Sequence, residues 1–289
     1  MTTLQNEFLQ VSIRNQGAEL TSLFDKTHQI EHLWQGDPEI WGWHAPNLFP
    51  VIGACLHNQL LIEGKTYPME KHGFTRHTEF TLIRATATQA LFSLRHTAQT
   101  FASFPYQFDF QIEYILEGKR LKTTYRVINE DQKTIYFSVG GHPAFNVPFF
   151  PGEDYADYYL EFEKDEKLAR HLLSKEGYFN GQTEPVELEN WQLALTKNLF
   201  NRDALVFKKL ASRQVTIRGR KHSQTVTVSF PPFNYLGIWA KFGAPFVCIE
   251  PWLGCSDSEG HQLPIQERED IQHVHPGGTF EAAFSIRLS

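Results

Sequence analysis

Cysteine is scarce and unpatterned: Cys55, Cys248 and Cys255 form an odd set with no CxxC spacing. That excludes a disulfide framework and a cysteine-ligated structural zinc, and it suits a reducing, cytoplasmic setting. Cys248 and Cys255 flank Glu250 and are expected to pack rather than to attack a substrate. No apolar run approaches the ~18 residues that a membrane span needs. The N-terminal MTTLQNEFLQ has no basic region and no apolar core, so no signal peptide is expected. Basic residues are neither abundant nor clustered. Lys and Arg number 27 against 33 Asp and Glu, a net charge of −6, which argues against nucleic acid as a partner. Repeats, low-complexity tracts and Pro/Gly/Ser linkers are also missing, so one domain over 1–289 is expected.

What the chain has in quantity is aromatics and alternation. Phe occurs 24 times and Trp 6 times, an excess that suits pleated, half-buried surfaces. Leu9-Val11-Ile13 and Phe280-Ala282-Phe284-Ile286-Leu288 alternate with the period of a strand. Hairpins are expected across Glu63-Gly64-Lys65 and Glu117-Gly118-Lys119. Lys164–Lys175 is the best helical candidate, because Leu168, Leu172 and Leu173 fall at helical spacing. Ile30–Trp43 reads as a Trp-rich loop, and Gly254–Pro276 as a long polar loop. Some fifteen or more short strand candidates at even spacing imply an all-β sandwich or barrel.

Three stretches carry candidate chemistry. In SVGGHPAFNVP, 138–148, a β-rich run meets Gly140-Gly141, and His142-Pro143 follow. The glycines permit a sharp turn or a close approach, and Pro143 holds His142 extended. Lys71-His72-Gly73-Phe74 sets a second histidine beside a glycine, and Glu250 closes an apolar strand ahead of Pro251. Alone, His142 also reads as a loop histidine with a satisfied hydrogen bond, and Glu250 as a strand-end glutamate bonded to backbone amides. Together they form an acid–base set on loops that a sheet holds rigid. An imidazole with an ordinary pKa of about 6.5 donates a proton, and a carboxylate of about 4.3 accepts one.

Six segments in order resemble the aldose 1-epimerase (galactose mutarotase-like) family, most of all its LacX-type bacterial branch. They are GAELTSL at Gly17–Leu23, NLFPVIG at Asn47–Gly53, HGFTR at His72–Arg76, GGHPAFNVP at Gly140–Pro148, NRDALVF at Asn201–Phe207 and FVCIEPWLG at Phe246–Gly254. The resemblance implies a large antiparallel β-sandwich with a cleft on one face. It implies interconversion of the α and β anomers of a free aldohexose, with Glu250 as general base and His142 as general acid facing each other across one hollow. It places His72 on the ring-oxygen side of the sugar and Asp203 on sugar hydroxyls. No metal or organic cofactor is expected, and the partner is a small sugar, with no membrane, for a monomer or homodimer.

One departure stands out. Many family members carry arginine directly after the glycine matching Gly53, where this chain has Ala54. His57, Arg76 and Lys241 are the candidates to replace its donors. Three alternatives stay open. Two histidines and a carboxylate also make a metal ligand set, and His273 and His275 would share a face if extended. A sugar-binding protein without catalysis fits the same fold. A hexose 6-phosphate substrate would call for a Lys or Arg pair at the cleft mouth, and no such cluster is visible in the sequence.

Overall fold

The computed structural model describes residues 1–260 and 262–289. Two antiparallel sheets form the body. The back sheet has nine strands, in the order Gln192–Ala194, Tyr158–Phe162, Gln214–Gly219, Thr225–Ser229, Thr279–Leu288, Arg120–Asn129, Phe108–Glu117, Gln89–Arg95 and Thr81–Ala85. The front sheet runs Phe179–Val186, Leu168–Leu173, Leu205–Lys208, Tyr235–Trp239, Phe246–Leu253, Val139–Gly141 and Asn47–Leu48, with Ala144–Asn146 added beside Phe246–Leu253. Hairpins close as expected, with Ile62 paired to Lys65 and Glu117 to Arg120.

Alternation along each strand decides what faces what. From the back sheet, Phe110, Ile112, Tyr125 and Phe284 are buried against front-sheet residues such as Val247 and Ile249. The Phe49 ring lies 4.3 Å from Phe110, and Phe162 of the back sheet meets Phe207 of the front sheet at 6.3 Å. Each buried aromatic removes a large apolar area from water, at about 25 cal/mol per Å². Asn47 threads a polar line through this interior: its Oδ1 accepts from Tyr125 at 2.8 Å, and its amide donates to the Gly17 carbonyl at 2.9 Å.

The expected helix over Lys164–Lys175 is not there; Leu168–Leu173 is a strand between Phe179–Val186 and Leu205–Lys208. Leu168 and Leu172 are four apart, a spacing that also fits one face of a strand, and pairing on both sides overrides local propensity. A bulge between His171 and Leu173 then turns Leu173 into the cleft. The long polar segment Gly254–Pro276, apart from position 261, which lies outside the described residues, contains a short strand, Gln272–Val274.

Glu250 does not end its strand. Phe246–Leu253 continues through Pro251 and is buried along its whole length. One face packs on the core, and the other forms part of the cleft wall. Pro251 sits opposite Leu236, inside a sheet where proline usually keeps to edges. The glycines before His142 serve close approach rather than a turn. A Cβ on Gly140 would come within 2.6 Å of the Pro251 carbonyl oxygen, and one on Gly141 within 2.9 Å of the Phe284 ring.

Candidate active site

Strand register builds the centre of the site. Gly140 pairs with Trp252 and Ala144 with Cys248, both on Phe246–Leu253. Between them the strand is interrupted at His142-Pro143, but the Ile249 N–H donates to the Pro143 carbonyl at 3.2 Å and register is kept. Continued through that gap, the same register sets His142 opposite Glu250. Residues opposite each other across antiparallel strands have Cβ atoms about 5 Å apart. The side chains accordingly meet, with His142 Nε2 3.1 Å from Glu250 Oε2. They stand side by side on one wall, not across a hollow from one another. The contact is not aligned as a hydrogen bond, and Glu250 Oε2 has no hydrogen-bond partner among the described residues.

The wall belongs to a cleft of about 290 Å³. His142, Glu250, His72 and Asp203 all line it, so the structure brings together the four residues that the sequence singled out. Asp203 is exposed at its edge, and its Oδ1 accepts the Ala204 N–H at 2.8 Å. His72 is locked from behind. Its backbone N–H donates to the Gly53 carbonyl at 2.9 Å, and its Nδ1 accepts the Gly53 N–H at 3.1 Å. Nδ1 is therefore unprotonated, and Nε2 carries the hydrogen of a neutral ring. His72 and Asp203 both hold left-handed backbone, at φ 67° and 69°. For residues other than glycine that costs of order 1 kcal/mol or more, and such strain clusters at functional sites.

Burial dominates the electrostatics. It pushes His142 and His72 below the ordinary histidine value, with Lys71 and Arg76 adding to the fall. It pushes Glu250 well above the ordinary carboxylate value, against the pull of Lys71. All these directions favour neutral forms. Burial thus works against a charged His142–Glu250 pair.

Aromatics shape the remaining surface. Trp41 stacks on His142 with ring centroids 5.0 Å apart, and Trp239 meets the same imidazole edge-on at 6.0 Å. Trp252 lines the cleft two residues beyond Glu250. The Trp41 segment is fixed by its own backbone: Trp34 Nε1 donates to the Trp41 carbonyl at 2.8 Å, and Lys241 Nζ to the Ile40 carbonyl at 2.7 Å. Lys241 thus braces the loop and lines a different pocket, and His57 lies outside the cleft. Of the three candidates to replace the arginine at Ala54, only Arg76 lines it. Lys71, to which the sequence assigns no role, lines it too. Its signal in the sequence was its place directly before His72-Gly73.

The metal alternative takes a different form in three dimensions. His273 sits in a short strand paired with Tyr136, and His275 bonds Thr134, away from the cleft. The described residues that bring donor atoms within 4.8 Å of one another are His142, Cys248 and Glu250, all buried. Burial holds the Cys248 thiol well above its ordinary pKa, the wrong direction for a thiolate ligand.

Comparison with known proteins gives a consistent result. A sequence model described as aldose 1-epimerase matches residues 1–263. The LacX proteins of Lactococcus lactis subsp. lactis, plasmid and chromosomal, are each 35% identical over 294 residues, covering 99% of this chain and 98% of theirs. A galactose mutarotase related enzyme from Lactobacillus acidophilus superposes with a TM-score of 0.93 at 31% identity, over 100% of this chain and 97% of that one. A galactose mutarotase-like protein from Lactobacillus casei does so with a TM-score of 0.94 at 30% identity, over the whole of both chains.

Proposed function

The chain belongs to the aldose 1-epimerase family, and from that premise we propose that it interconverts the α and β anomers of an aldose by acid–base ring opening. The observation that carries this reading is the side-by-side contact of His142 Nε2 and Glu250 Oε2 at 3.1 Å. In a cyclic aldose the C1 hydroxyl oxygen and the ring oxygen are bonded to the same carbon. One must lose a proton while the other gains one, so the acid and the base must themselves be neighbours.

The resting pair holds the single proton that this exchange needs. Once a bound sugar aligns the 3.1 Å contact, transfer from Glu250 to His142 turns the neutral pair into a carboxylate base and an imidazolium acid. Glu250 then takes the proton of the C1 hydroxyl as His142 protonates the ring oxygen. The C1–ring oxygen bond breaks, leaving an open-chain aldehyde. Rotation about C1–C2 presents the other aldehyde face, and the same steps in reverse close the ring as the opposite anomer. Protons balance, and no redox change or covalent intermediate is required. His72, with its Nε2–H facing the cleft, donates on the ring-oxygen side, and Asp203 accepts from sugar hydroxyls at the edge. Trp41, Trp239 and Trp252 offer flat apolar surface for the sugar face.

Polarimetry or NMR saturation exchange over a panel of free and phosphorylated aldoses tests the reading. Exchange above buffer that falls ~10²–10⁴-fold in Glu250→Gln or His142→Asn is the expected result. A sugar that binds without faster exchange would identify a non-catalytic binding protein instead.

A further inference from the structure

We propose that the cleft is built for an aldose phosphorylated on its exocyclic carbon, C6, with Lys71 and Arg76 as the phosphate-binding pair; this rests on the anomer-exchange reading of the cleft. Both side chains line the cleft, one directly before His72 and the other four residues after it. In a pyranose, the ring carbon that bears C6 is also bonded to the ring oxygen. A sugar with its ring oxygen at His142 and His72 therefore projects C6 toward the segment that carries Lys71 and Arg76.

The two cations are positioned but not neutralised. Arg76 is fixed by Nη2 donating to the Lys71 carbonyl at 2.9 Å, and its guanidinium carbon lies 5.4 Å from the centre of the Trp43 ring. A guanidinium has five N–H donors in a fork that suits phosphate oxygens, and most of these remain available. No carboxylate lies within 4.0 Å of Arg76 or Lys71 among the described residues, and the Lys71 ammonium has no hydrogen-bond partner there either. Elsewhere the chain pairs its cations freely, as in Arg170 with Glu184 and Lys208 with Glu269.

Two small residues, Gly177 and Ala54, lie beside Lys71. A Cβ placed on Gly177 would be 3.5 Å from Lys71 Nζ and 3.6 Å from the Ala54 Cβ. The ammonium thus stands over two of the smallest side chains in the wall, at the point where the sequence lacks arginine. The charge balance agrees. With the His142–Glu250 pair neutral, Lys71 and Arg76 outweigh Asp203, so the cleft is positive within a chain of net charge −6. Two cations match a phosphate dianion better than the single charge of a hexuronate.

An open-chain hexitol and its 6-phosphate separate binding from turnover, because neither can mutarotate. Calorimetry should show the phosphate form binding at least about tenfold tighter, with the advantage shrinking in added salt and largely lost in Lys71→Met. In exchange assays, kcat/KM for a hexose 6-phosphate should exceed that for the free hexose by roughly tenfold or more. Lys71→Met should lower it through KM, and Lys71→Arg should restore it. Equal binding of the two hexitols, or equal turnover of the two sugars, overturns the proposal and leaves the epimerase standing. Preference for a hexuronate overturns the choice of phosphate. Tight hexitol 6-phosphate binding with no exchange on any sugar supports the anion site and removes the epimerase.

Discussion

Glu250→Gln should cost activity and gain stability, and the two effects come from the same atoms. Glu250 is 1% exposed on a strand buried from end to end, so folding strips its carboxylate of water. Its pKa in the folded protein is therefore raised above the unfolded value of about 4.3. Where the folded state binds more protons than the unfolded one, stability falls as pH rises. The contribution of Glu250 is thus fully present below pH ~4.3 and is lost as pH climbs toward the folded pKa. Glutamine keeps the shape and has no proton to lose. The stability of Glu250→Gln relative to the wild type should rise with pH above ~4.3, with a slope of up to about 1.4 kcal/mol per pH unit. A gain of 1 kcal/mol raises the melting temperature of a chain this size by roughly 2 °C. Urea unfolding of both proteins from pH 4 to pH 8 reads the difference directly, and the exchange assay on the same samples reads the loss. A variant less stable than the wild type at pH 7, or a stability difference independent of pH, would refute the reasoning that the carboxylate is held buried at a cost for its chemistry.

Two further substitutions probe the walls. Gly237 sits opposite Glu250, and a Cβ added there would come within 2.6 Å of the Trp252 indole. Gly237→Ala should therefore destabilise by about 1–3 kcal/mol and reduce exchange by displacing Trp252; an unchanged urea midpoint would contradict this. Trp41→Ala uncovers His142, which Trp41 now shields from water by stacking at 5.0 Å. Because desolvation is what depresses His142, its pKa should climb back toward 6.5, and the acid limb of the kcat/KM profile should move to higher pH.

The sheet architecture was legible because strand alternation and turn residues are local signals. Leu168 and Leu172 show where that fails: a spacing of four suits both periods, and only the neighbouring strands decide between them. Gly140 and Gly141 could be read as permitting close approach, but not what approaches, since Pro251 and Phe284 come from more than a hundred residues away. Three of the site's candidates stood out because each sat beside glycine or proline; Asp203 came from the family resemblance alone. Lys71 did not stand out, because an exposed lysine in sequence looks the same whether it faces solvent or a cleft. Its place in the cleft emerges only once Gly177, Ala54 and Arg76 are gathered around it.

At His142-Pro143 the strand is interrupted while its register is kept on either side. The distance between His142 and Glu250 is set by the main-chain spacing of two neighbouring strands, anchored at Gly140–Trp252 and Ala144–Cys248. It does not depend on a mobile loop or on the size of the guest. Single replacements at the cleft rim leave that spacing untouched. Moving the central pair would require re-pairing the sheet itself.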